Sequence, residues 1–148
     1  MRNRFVNITW VLMIVALGCN QPDAPDCLQR AGIDGQLKGT LPAFTHLILK
    51  SNMDYVLHVD SSWHYTLEGP INLLSDIAFD NSGSALEVRN DNTCNVVRNK
   101  KRRILVHLYA PSFHHFEIQS QGKLTCADTI RHSLYVNYNN ANCNSLWL

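Results

Sequence analysis

Charge of one sign is what this chain lacks most clearly. Thirteen Lys and Arg stand against 12 Asp and Glu, a net charge of +1 over 148 residues. Such a balance builds no broad field to hold a polyanion, so nucleic acid is excluded as a partner. The chain also lacks helical patterning. No segment of ordinary helix length carries an apolar stripe at helical spacing, although most domains contain some helix. The expected fold class is therefore all-β. The five cysteines include no C-x-x-C pair, and no neighbouring His completes a zinc pattern, so no metal or cofactor is expected. A G-x-S-x-G nucleophile elbow and a phosphate-cradling glycine loop are also absent. No apolar run reaches the ~20 residues of a membrane-spanning helix.

What is present begins with a short apolar run. Arg2 and Arg4 precede "VNITWVLMIVAL", Val6 to Leu17, and small residues close it. This is the pattern of a secretory signal over residues 1–18. Its removal leaves 11 basic against 12 acidic residues, a net charge of −1. The run ends at Gly18-Cys19, which resembles the lipobox of bacterial lipoproteins. Cys19 would then become the N-terminus, carrying a diacylglycerol thioether and an amide-linked acyl chain. Each buried methylene adds about 0.8 kcal/mol, so three chains hold a membrane where one does not. Ala16 stands where Leu is commonest in that motif, and cleavage as an ordinary secretory signal is the alternative. The Pro- and Asp-rich segment that follows suits an extended tether, residues 19–31.

With Cys19 lipidated, Cys27, Cys94, Cys126 and Cys143 remain. Four thiols in an oxidising compartment allow two disulfides in three connectivities. Free buried cysteines are the alternative. The pairing most worth testing is Cys27 with Cys94, which would staple the tether to the domain.

Residues 32–148 read as one β domain. Strands are expected in "FTHLILK" from Phe44, "DYVLHVD" from Asp54 and "SSWHYTLEG" from Ser61, the last stopped by Pro70. "INLLSDIAFD" from Ile71 fits a short helix or a strand. After the turn "NSGS", strands return in "ALEVRND" from Ala85 and "RILVHLYAP" from Arg103. Ile104, Val106 and Leu108 share one face of the latter. "FHHFEIQSQG" and "HSLYVNYNN" follow. In these last two, Phe116, Ile118 and Ser120 align with Leu134, Val136 and Tyr138 at an offset of 18 residues. One short strand with polar corners every ~20 residues is what a rung of a β-solenoid gives.

The segment "GPINLLSDIAFDNSGSALEVRNDNTCNVVRNKKRRILVHLYAPSFHHFEIQSQGKLTCADTI", Gly69 to Ile130, resembles the bacterial family of the auto-transporter adhesin head GIN domain. "AFTHLILKSNMDYVLHV" upstream also fits, and the likeness extends over about Cys27 to Leu148. The resemblance implies a right-handed parallel β-helix-like domain in the bacterial cell envelope, often lipid-anchored, in a family labelled adhesin whose function is essentially unassigned. Two features depart from the family. Its corners read "QSQG" and "YNNA" where Ser/Gly-rich corners are usual, and it ends on the apolar Leu146-Trp147-Leu148. That end would leave a solenoid without a polar cap, so a truncated member is expected, or else an edge covered by a partner.

Several constellations are candidates for chemistry. "RNKKRR" offers Arg98, Lys100, Lys101, Arg102 and Arg103 to an anion or glycan, or is simply a solvated loop. Among seven histidines, His114 and His115 are adjacent and point to opposite faces of a strand. His58 with His64, or His107 with His115, would need a contact made by the fold, and scattered strand histidines are the expectation. A polysaccharide-cleaving site needs paired carboxylates, and Glu117 and Asp128 have no evident partner. Trp63 and Tyr65 could stack on a sugar but, at period two with Leu67, are expected in the core. The expectation is a non-catalytic envelope lipoprotein, held in the outer membrane by its lipid and binding a glycan or envelope protein. A scaffolding module that assembles through its C-terminal edge is the alternative, and a divergent carbohydrate-active enzyme a third.

Overall fold

A computed structural model of the chain describes residues 32–92, 103–131, 133–139 and 146–147. Alternation of apolar and polar residues sets the strands, because successive side chains in a strand point to opposite faces. In β2 (His46–Leu49), Leu47 and Leu49 are buried and His46 and Ile48 are not. In β3 (Asp54–Val59), Tyr55 and Leu57 are buried. In β7 (Leu105–Ala110), Val106, Leu108 and Ala110 are buried. β8 (His115–Ile118) buries Phe116 and Ile118. The ambiguous segment after Pro70 divides between the two readings: α1 (Ile71–Leu74) buries Leu73 and Leu74, and β5 (Ile77–Ser82) follows. β5 turns into β6 (Ala85–Asn90) through Gly83 and Ser84, with Gly83 at φ +64°. A two-residue hairpin loop needs a positive φ that glycine adopts without strain.

The remaining strands are β1 (Asp34–Thr40), β4 (His64–Pro70), β9 (Leu124–Cys126), β10 (Tyr135–Tyr138) and β11 (Leu146–Trp147). All the described strands fall in two mixed sheets, which are not closed into a barrel. One has six strands in the order β1-β4-β7-β3-β9-β11, the other five in the order β10-β8-β2-β6-β5. The parallel strands come as pairs along the chain, each pair contributing one strand to each sheet. β6–β7, β2–β3, β8–β9 and β10–β11 stack in that spatial order. These are rungs of two strands, and the first rung in the chain lies second in the stack. β1 and β4 close one end of the six-stranded sheet as antiparallel strands, and β5 does the same for the other.

Antiparallel and parallel pairing are mixed along the chain: β1 pairs antiparallel with β4, β2 and β3 are already parallel rung strands, and the antiparallel strands flank the stack. One expectation is corrected here: the repeat offset is 20 residues rather than 18. Val136 sits on Phe116 and Tyr138 on Ile118. A slip of two residues keeps the same side chains on the same face, so the pattern alone could not distinguish the two registers.

Register stacks like on like. Leu86, Leu47, Phe116 and Val136 form one ladder, and Val88, Leu49, Ile118 and Tyr138 the next. Across the core, Leu67, Val106, Tyr55 and Leu124 form a third, and Tyr65, Leu108, Leu57 and Cys126 a fourth. All four belong to one hydrophobic core, which Trp63 also joins. Tyr55 is buried, and its hydroxyl donates to the Lys50 carbonyl at 2.6 Å. The corner where the rungs cross between sheets is tied by polar groups. Ser120 Oγ donates to the Met53 carbonyl at 3.2 Å, and the Gly122 N–H donates to Ser120 Oγ at 3.0 Å. A Cβ on Gly122 would lie 1.6 Å from the Met53 carbonyl oxygen.

Two substitutions separate these constraints. Gly122→Ala must displace the backbone at the corner and is expected to cost more than about 3 kcal/mol, against about 1 kcal/mol for Gly83→Ala at its open turn. Leu49→Ala is expected to cost about 2–5 kcal/mol. Chemical denaturation of the three variants measures the order; equal midpoints for the two glycine variants would show that the corner yields freely.

Candidate functional site

The outer face of the six-stranded sheet brings polar and aromatic groups of neighbouring strands together. Its rows follow from register. Gln36, Glu68, Leu105 and Asp54 lie side by side. Lys38, Thr66, His107, Val56 and Thr125 form the next row, and Thr40, His64, Tyr109 and His58 the third.

The first row lines a shallow groove of about 550 Å³, walled by Asp34, Gln36, Glu68, Arg103 and Leu105 with the backbone of Gly35 and Gly69. Its groups are oriented by one another. Gln36 Nε2 donates to Glu68 Oε1 at 2.7 Å, and Arg103 Nη1 donates to Asp54 Oδ1 at 3.0 Å. The same Asp54 oxygen accepts the Lys123 N–H at 2.8 Å, so this carboxylate ties the starts of β3, β7 and β9 together. Arg103 thus stands at the groove with its charge already paired. Arg98, Lys100, Lys101 and Arg102 lie outside the described residues, as do Cys19, Cys27, Cys94 and Cys143. Cys126 is a free thiol, half-buried, with Sγ 3.0 Å from the Asp128 carbonyl oxygen.

The third row is a stack of rings. Tyr109 lies between His64, at a centroid distance of 4.1 Å, and His58, at 4.4 Å. His58 Nε2 also lies 2.9 Å from His107 Nδ1. Scattered histidines were the expectation for this chain, and for these three it does not hold: parallel pairing of β3 with β7 places His58 diagonal to His107, and antiparallel pairing of β4 with β7 brings His64 beside Tyr109. His107 and His115 do not meet, because β7 and β8 belong to different sheets. His115 instead neighbours His46 and Tyr135 on the outside of the five-stranded sheet, at 6.1 and 5.6 Å. Among the described residues no three His, Cys, Asp or Glu side chains converge as metal ligands would.

The two acidic residues weighed for a carboxylate pair are held apart in separate roles. Glu117, on β8, accepts from Gln119 at 2.7 Å and from Asn139 at 3.1 Å, and these bonds hold its carboxyl below the usual carboxylate range. Asp128 accepts the Val59 N–H at 2.9 Å beside the six-stranded sheet. Trp63 and Tyr65 pack against the core, as their period-two spacing with Leu67 implies.

A family model described as "Putative auto-transporter adhesin, head GIN domain" matches residues 43–142. The chain belongs to this family. Solved structures share the fold. A "putative adhesin" from Parabacteroides merdae superposes with a TM-score of 0.61 at 16% identity, over 76% of this chain and 46% of that one. A "putative adhesin" from Bacteroides fragilis gives 0.62 at 13% identity, over 71% and 49%. A "Putative lipid binding protein" from Parabacteroides distasonis gives 0.55 at 8%, over 72% and 46%. The chain thus spans about half the length of these structures. No curated protein matches it. At such identities the likeness is one of fold, which tells nothing of what a given site binds.

The ring cluster makes stability depend on pH. Burial first, then His107 and His64, hold the proton affinity of His58 below the ordinary histidine value, with Asp128 opposing. The unfolded chain therefore takes up this proton at a higher pH than the folded one. The stabilisation is complete above the unfolded value of about 6.5 and is lost as pH falls through the lower folded value. A lower urea midpoint is expected at pH 5 than at pH 7.5, with a smaller difference in His58→Asn. Identical pH dependence in the two proteins would contradict this assignment.

Proposed function

We propose that this is a non-catalytic cell-envelope lipoprotein whose GIN-type domain binds a glycan or an envelope protein through the outer face of the six-stranded sheet. One observation carries the reading: a family otherwise labelled for adhesion here presents a polar groove whose Gln36, Glu68 and Arg103 are pre-oriented by hydrogen bonds. Pre-oriented donors and acceptors suit a polyhydroxyl ligand, since little ordering remains to be done on binding. The name "Putative lipid binding protein" borne by one structural neighbour admits a lipid headgroup as the bound group. In this reading residues 1–18 are the signal, Cys19 carries the lipid, 19–31 are the tether, and residues 32–148 form the domain on the outer membrane. The stacked two-strand rungs are taken as a short right-handed parallel β-helix.

A second reading is assembly through the edge. Among the described strands β10 has a neighbour on one side only, Tyr135 on it is 63% exposed, and Val136 and Tyr138 are half-buried. A further strand paired there would cover them.

Two measurements test these readings. The intact mass of protein extracted from envelope membranes is expected to show a chain starting at Cys19 and heavier by a glyceryl group and three acyl chains, with Cys19→Ala unmodified. An unmodified wild-type mass would sink the anchor. Binding of the full chain to a panel of immobilised polysaccharides is expected to weaken about tenfold in Glu68→Ala, the loss of one well-made polar contact at about 1.4 kcal/mol. Unchanged binding in Glu68→Ala, with concentration-dependent association abolished by a charge at Tyr135, would favour the edge.

A further inference from the structure

The contact between His58 and His107 has a geometry that decides what can occupy it. The two nitrogens are 2.9 Å apart and the ring centroids 5.2 Å apart. The centroid separation is the nitrogen separation plus about one ring radius on each side, so the two nitrogens point at each other. An ion held by both rings would need the lone pairs to converge on a third point, about 2.0–2.1 Å from each. Lone pairs aimed at one another leave room for a proton instead.

The surroundings choose where the protons sit. His107 Nε2 is buried without a hydrogen-bond partner, and its nearest charge is the Glu68 carboxylate at 3.9 Å. A bare lone pair there would face negative charge, whereas an N–H faces it favourably. His107 thus carries its proton on Nε2 and accepts at Nδ1, which makes His58 Nε2 the donor. We propose that His58 and His107 form a proton-operated latch on the outer face of the six-stranded sheet, closed while one proton fills the gap and forced open when both rings become imidazolium.

The steps balance. In the neutral pair His58 Nε2–H bridges to His107 Nδ1, and His58 Nδ1 is a free acceptor. A first proton from water binds His58 Nδ1 against the cost of burial, and the bridge persists as a charge-assisted contact. A second proton can bind only at His107 Nδ1. There it meets the His58 Nε2–H head-on across 2.9 Å, and the contact breaks. Neighbouring charges divide the two steps. Glu68 on β4 and Asp128 after β9 favour uptake of protons. His64 on β4 opposes it, as do Lys38, two strands from His107 in the same row, and each imidazolium toward the other. Burial and His107 already lower the proton affinity of His58. Opening moves the His58 ring off Tyr109, which it faces at 4.4 Å, and so disturbs the ring stack two rows from the groove. The latch does not depend on what the face binds, so its failure leaves the binding reading untouched, and the reverse.

The test is a pH titration of the full mature chain with ¹⁵N-labelled histidine, followed by NMR from pH 8 to 4. His58 and His107 are expected to titrate as a pair in two steps separated by more than about one pH unit. The Tyr109 ring signals should move with the lower step. In His58→Asn, His107 should titrate in a single step and Tyr109 should no longer respond at the lower pH. His64→Asn should retain both steps. The wild-type titration needs no variant to fold: two histidines that titrate together in one ordinary step, with Tyr109 unmoved, would overturn the latch.

Discussion

Parallel register, in which each inward side chain lies on its counterpart in the next rung, is the constraint on which this structure depends. Four apolar ladders fill the space between the sheets, and every described rung contributes to them. A slip by one residue in any rung strand would turn its leucines outward and its histidines and carboxylates inward. Burial of the ladders therefore determines the outer face as much as the inner one. The groove and the ring stack are consequences of that register. Glu68 reaches His107 because Leu67 sits on Val106, and His58 reaches Tyr109 because Leu57 sits on Leu108.

The corners make the register specific. Hydrophobic stacking alone would tolerate a slip of two residues, since parity is kept. The Met53–Asp54 corner does not tolerate it. Gly122 fits against the Met53 carbonyl only where no side chain is present, and Asp54 meets both Arg103 and the Lys123 N–H only in one alignment. A carboxylate and a glycine thus supply the selectivity that the leucines lack.

Much of this was legible in the residues. Alternation located β2, β3, β6, β7, β8 and β10, and the lack of helical spacing left room only for the single described turn of helix at Ile71–Leu74. β1 escaped notice because its inward positions alternate as Gly35, Leu37 and Gly39, which gives almost no apolar signal. β9 is three residues long, too short to show a period. The ring cluster was not legible for a different reason. His58 and His107 stand 49 residues apart, and their contact follows from which strands are neighbours, a fact no local pattern carries. The repeat of the last two strands supplied the idea of rungs, and the family resemblance agreed with it; the stacking order, with the first rung placed second, came only from the pairing.

That order has a bearing on how the chain folds. β2 and β3 are made early in the sequence, yet both neighbours of each are found far downstream: β6 and β8 for one, β7 and β9 for the other. His46 pairs with His115, 69 residues away. Until those later segments arrive, the first rung has two open edges and an uncovered apolar face. Closing such long loops before contacts reward them is slow, and open edges in the meantime invite pairing with other chains. The domain's earliest rung is its keystone, inserted only when the arch around it is complete.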